Sequence, residues 1–73
     1  MIGYEHTQEE LLQRLDVLHI ILRTWSRVAL VLGVTEKTVY VWKSGSSSIP
    51  NYVWYVSKYF ENIDSAMKIT NKL

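Results

Sequence analysis

Apolar residues recur along this chain at three- and four-residue intervals, the period of a helical face packed on a core. In the first such stretch Leu11, Leu15, Leu18 and Leu22 form the stripe, flanked by Leu12, Val17 and Ile21. Thr7 precedes it and Glu10 follows three residues later, the arrangement in which hydroxyl and carboxylate each satisfy an orphan amide at a helix start. The spacing predicts a helix from there to about Leu22. Thr24 is placed to cap a second helix with Val28, Ala29 and Leu32 inward, and Gly33 to stop it, since glycine takes positive φ without penalty. Thr35, with Thr38 three residues on, caps a third. There Val39 and Trp42, with Val34 upstream, face one way, and Glu36, Lys37, Tyr40, Val41 and Ser44 the other, before Gly45 closes the helix. The serine-rich run from Ser44 to Ser48 reads as a loop, and Pro50 prepares a further helix from about Asn51 to Asn62. Its inward positions are Val53, Val56, Phe60 and Ile63, with Tyr52, Trp54, Tyr55 and Tyr59 on the flanks. A short fifth helix around Ser65 to Ile69, with Ala66, Met67 and Ile69 as its apolar content, is also expected. No stretch alternates with a period of two, so the fold class is all-α, a compact four- to five-helix bundle in one domain over residues 1–73.

Length and composition narrow the function. Seventy-three residues supply one small core and leave a fold that benefits from a partner subunit. Without cysteine, and with His6 and His19 as the only histidines, neither thiol chemistry nor a zinc-ligand spacing is available, so no metal and no cofactor are expected. No acidic pair, Ser-His-Asp set or glycine-rich phosphate loop stands out, which argues against an enzyme and against a small-molecule substrate. The longest apolar run, Val28 to Leu32, is too short for a bilayer, and Met1 to Glu10 lacks the layout of a secretory signal, so the expected location is cytoplasmic, off the membrane. Net charge is +1, but unevenly spread. Residues 1–22 carry Glu5, Glu9, Glu10 and Asp16 against Arg14; residues 23–60 carry Arg23, Arg27, Lys37, Lys43 and Lys58 against Glu36 alone. The middle of the chain is therefore the part suited to a phosphate-bearing partner.

Two short helices joined by a glycine turn, the second with a polar stripe, have the geometry of a helix-turn-helix. The run from Trp25 to Gly45, Trp-Ser-Arg-Val-Ala-Leu-Val-Leu-Gly-Val-Thr-Glu-Lys-Thr-Val-Tyr-Val-Trp-Lys-Ser-Gly, resembles the Cro and phage-repressor type of helix-turn-helix. The shared features are Ala29, the Gly33-Val34-Thr35 turn, the Thr38-Val39 pair, and Trp42 three residues before Gly45, followed by Ile49-Pro50. The resemblance implies that the helix from Thr35 to Lys43 enters the major groove of double-stranded DNA at an operator-like site. Glu36, Lys37, Tyr40 and Val41 are then the base-contact candidates, Glu36 accepting from cytosine, Lys37 donating to guanine or phosphate and Val41 meeting a thymine methyl. Thr35, Lys43, Ser46 and Arg27 are the phosphate-contact candidates. Trp25 departs from the pattern, standing where many members carry a glutamine that bonds phosphate.

Seven of the nine aromatic residues fall between Tyr40 and Phe60, more than so small a core encloses, so some are expected at the surface. Tyr52, Trp54, Tyr55 and Tyr59 are candidates for a protein interface, where tyrosine and tryptophan are enriched. Two functions follow as expectations. One is a sequence-specific DNA-binding regulator of the Cro type, of phage or mobile-element character, working as a homodimer. The other is an antirepressor or repressor modulator that uses the same scaffold and its aromatic surface to bind a partner phage repressor.

Overall fold

A computed structural model describes residues 6–72, with side chains through Lys68. Among these residues four helices follow one another, α1 (Gln8–Leu22), α2 (Trp25–Leu32), α3 (Glu36–Lys43) and α4 (Tyr52–Lys72). Among the described residues there is no strand, and the protein is an all-α bundle. α1 is the hub, packing most extensively on α4 and also on α2, while α2 carries α3.

The three threonine caps form as the spacing predicts. The Thr7 hydroxyl accepts from the Glu10 amide at 3.1 Å, and the Glu10 carboxylate accepts from the Thr7 amide at 2.8 Å. Thr24 and Thr35 accept from Arg27 and Thr38 amides in the same way, each cap adding about 1 kcal/mol. Gly33, at φ +74°, ends α2 in a Schellman turn: the Val34 amide donates to the Ala29 carbonyl and the Gly33 amide to that of Leu30. Gly45, at φ +81°, repeats the device after α3, with Ser46 donating to Val41 and Gly45 to Trp42. Arg23 takes φ +80° at the end of α1, a positive value that non-glycine residues seldom adopt.

The core draws on every helix: Leu11, Leu15 and Leu18, then Val28, Ala29 and Leu32, then Val39 and Trp42, and finally Ile49 and Val53. Each large side chain buried there contributes roughly 2 kcal/mol. Ile49 is held at the junction by Gln8, whose side-chain amide accepts from the Ile49 amide at 2.7 Å and donates to its carbonyl at 3.1 Å. That pairing pins the serine loop to the first turn of α1.

Three expectations are corrected. The predicted break after Asn62 and the short fifth helix are absent: α4 runs unbroken to Lys72. Asn62, Ile63 and Asp64 include neither glycine nor proline, and the Lys58–Glu61 and Asp64–Lys68 pairs support the helix on either side of the supposed break. The side chain of Ile69 lies outside the described side chains. Ile63, expected inward, is exposed, whereas Ser57 is fully buried. Ser57 is tolerated because its Oγ donates to the Trp54 carbonyl at 2.7 Å and accepts from Arg14 Nε at 2.7 Å. Arg14 continues to Glu61 at 2.9 Å, and this bond, reinforced by Lys58, holds the Glu61 carboxyl below its ordinary pKa.

Candidate nucleic-acid interface

α2, the Gly33 turn and α3 form one unit. Ala29 is buried near the C-terminal end of α2, and its carbonyl is the acceptor that closes the turn. Val39 is fully buried and Trp42 nearly so, anchoring α3 through its inner face. The rotation of 100° per residue then turns Glu36, Lys37 and Tyr40 outward. All three are exposed, Tyr40 to 49%, and Val41 is half-buried at the edge of the same face. The four base-contact candidates are therefore brought together on one side of α3. Glu36 lies in the first turn, where a carboxylate complements the helix dipole, and Lys43 in the last, where a cation does.

The phosphate-contact candidates are also exposed, and each is already engaged within the chain. The Thr35 hydroxyl serves the Thr38 amide and lies 3.0 Å from the Thr38 hydroxyl. The Ser46 hydroxyl lies 2.9 Å from that of Ser44. Arg27 Nη1 donates to the Leu22 carbonyl at 3.3 Å, satisfying an orphan acceptor at the end of α1. Lys43 Nζ sits 3.9 Å from the centroid of the Trp25 indole, on which the His19 imidazole stacks at 4.2 Å. The sequence reading missed this last cluster. Its members come from three helices, and no periodicity joins them.

Charge sorts by element. Lys58 and Arg14 pair with Glu61, and Lys68 with Asp64. Among the described residues no carboxylate pairs with Arg23, Arg27, Lys37 or Lys43, so the unneutralised cations lie on α3 and around the α1–α2 junction. Such a surface attracts phosphate through long-range potential that salt screens.

The protein-interface candidates divide. Tyr55 and Tyr59 are exposed. Tyr52 is partly so, its hydroxyl donating to the Leu32 carbonyl at 2.7 Å, and burial pushes its phenol pKa up. Trp54 is half-buried and taken up by the chain itself: His6 stacks on it at 3.8 Å, and Arg14 and Lys58 lie over its ring at 5.2 and 5.7 Å. Among the described residues no group of three or more His, Asp or Glu side chains is disposed to hold a metal, and no helix is long and apolar enough to cross a membrane. Comparison with known proteins finds no matching family model, curated protein or solved structure.

Proposed function

We propose that the protein is a small, non-catalytic, sequence-specific DNA-binding regulator of the Cro type, of the kind carried by phages and mobile elements and acting in the cytoplasm. One observation carries the reading: a Schellman turn at Gly33 joins α2 to α3, and the buried Val39 and Trp42 leave Glu36, Lys37, Tyr40 and Val41 together on the outer side of α3. A helix anchored this way enters a major groove with its own side chains aimed at base edges. Lys37 supplies a donor for guanine or phosphate, Glu36 an acceptor for a cytosine amino group, and Val41 a methyl contact for thymine. Arg27 on α2 and Lys43 at the end of α3 have no carboxylate partner among the described residues and supply phosphate contacts that set register. Exchange of Lys37 for Ala tests it. The expected result is weaker binding with a salt slope reduced by about one, and an unchanged slope would remove Lys37 from the phosphate contacts.

A second reading has a specific observation in its favour. Tyr40 is half-exposed beside Val41, and α3 carries two lysines and no arginine, a face that also suits a protein surface. On that reading the chain modulates a partner repressor. Co-elution with the repressor encoded beside it supports this, and its absence at micromolar concentration counts against it.

A further inference from the structure

The outer side of α3 carries two rows of side chains. Tyr40 stands one turn beyond Glu36 and about 40° round the helix from it, and Val41 stands in the same relation to Lys37. Each row therefore sets a charged group ahead of an apolar one. In the first row Glu36 and Tyr40 are both exposed, Tyr40 to 49%. Neither side chain is engaged in a hydrogen bond, ion pair or ring contact among the described residues. Residues four apart on a helix have Cβ atoms about 5–6 Å from one another, so a free carboxylate and a free aromatic ring are neighbours on the surface offered to a partner.

We propose that this row selects a cytosine methylated at C5, with Glu36 accepting from the N4 amino group and the Tyr40 ring covering the methyl. The inference rests on the DNA reading above and names the base that this part of the face prefers. Each unmodified base fails one half of the pair. Thymine has the methyl but carries the O4 acceptor beside it, which a carboxylate repels. Cytosine donates through N4 but offers the ring only a hydrogen at C5. Adenine donates through N6 but sets the N7 acceptor next to it, and guanine presents two acceptors. A 5-methylcytosine joins a donor and a methyl on neighbouring ring carbons, and that edge is complementary to a carboxylate followed by an aromatic ring. Methylation of an exocyclic amino group does not create it, because in a paired N6-methyladenine the methyl takes the place of the N–H that faces the groove. A tyrosine ring suits the methyl because it brings a large contact area with only two χ angles to fix.

Duplexes of the promoter region adjoining the gene test it, one made with deoxycytidine and one with 5-methyldeoxycytidine throughout, each titrated with the full chain. The methylated duplex is expected to bind about fourfold more tightly for each methyl that a Tyr40 ring covers, the gain from burying one such group. Tyr40→Phe keeps the ring and is expected to keep the preference. Tyr40→Ala is expected to bind both duplexes alike; its helix is retained, since the position is exposed and alanine is the best helix former. Equal or weaker binding of the methylated duplex by the parent chain overturns the proposal and leaves the DNA reading standing, whereas binding to neither duplex removes that reading and the proposal with it. A preference that survives Tyr40→Ala, or disappears in Tyr40→Phe, also overturns it. So does an equal gain on a duplex carrying N6-methyladenine in place of adenine, which would trace the effect to the duplex itself.

Discussion

Lys43 Nζ, at the end of α3, lies 3.9 Å from the centre of the Trp25 indole, at the start of α2. With His19 stacked on the same ring, one indole ties three helix ends together outside the core. Because the contact is near the surface, the Lys43–ring attraction is worth about 0.5–1 kcal/mol. Lys43→Ala is therefore expected to lower unfolding stability by that amount, and a double-mutant cycle with Trp25→Leu to show coupling of similar size. Additive effects in urea denaturation would contradict the contact.

Ser57 is a buried polar residue that depends on Arg14. Replacing Ser57 with Ala deprives Arg14 Nε of its 2.7 Å acceptor, in a side chain only 12% exposed. The expected cost is about 1–3 kcal/mol, read from the denaturation midpoint. An unchanged midpoint would mean that Arg14 finds water instead.

Gly33 and Gly45 are needed for backbone conformation, since a Cβ at either position meets no atom within 4 Å. Alanine at either site is expected to cost about 1–2 kcal/mol through positive φ alone, with α3 keeping its place. Asparagine, which tolerates this region better, is expected to cost less. Equal losses for both replacements in thermal unfolding would point to a steric cause that the structure lacks.

These positions also mark how far the sequence could be read. Local signals were legible: Thr7, Thr24 and Thr35 as caps, Gly33 as a stop, and the inward turn of Val39 and Trp42, because each depends on residues a few positions apart. The outer face of α3 followed from the same periodicity. What stayed hidden depends on distant partners. Ser57 is satisfied in the core partly by Arg14 of α1, 43 positions away, and Gln8 clamps Ile49 across 41 positions. Likewise, Trp54 could be taken for interface surface because nothing local reveals that His6 stacks on it. Within the site, exposure of Arg27 and Lys43 was predictable, but their engagement by the Leu22 carbonyl and Trp25 was not.

Acid is expected to weaken the fold through two carboxylates. Hydrogen bonds from Arg14 and Lys58 lower the Glu61 pKa, and the Thr7 backbone amide lowers that of Glu10. A carboxyl with a folded pKa below its unfolded value, near 4.5, contributes stability that is present above that pH and is lost as pH falls through the folded value. The melting temperature is expected to drop on acidification below about pH 4.5, and less steeply in Glu61→Gln. A variant as acid-sensitive as the parent would show that Glu61 is not among the groups responsible.

The central claim is that the outer face of α3 reads DNA. Fluorescence anisotropy of labelled DNA from the promoter region adjoining the gene, against a scrambled duplex and at two salt concentrations, tests it most directly. The account predicts binding that falls steeply with salt, as phosphate contacts require, and that favours the native sequence by several-fold or more. Binding absent from both duplexes, or equal on both, would contradict it.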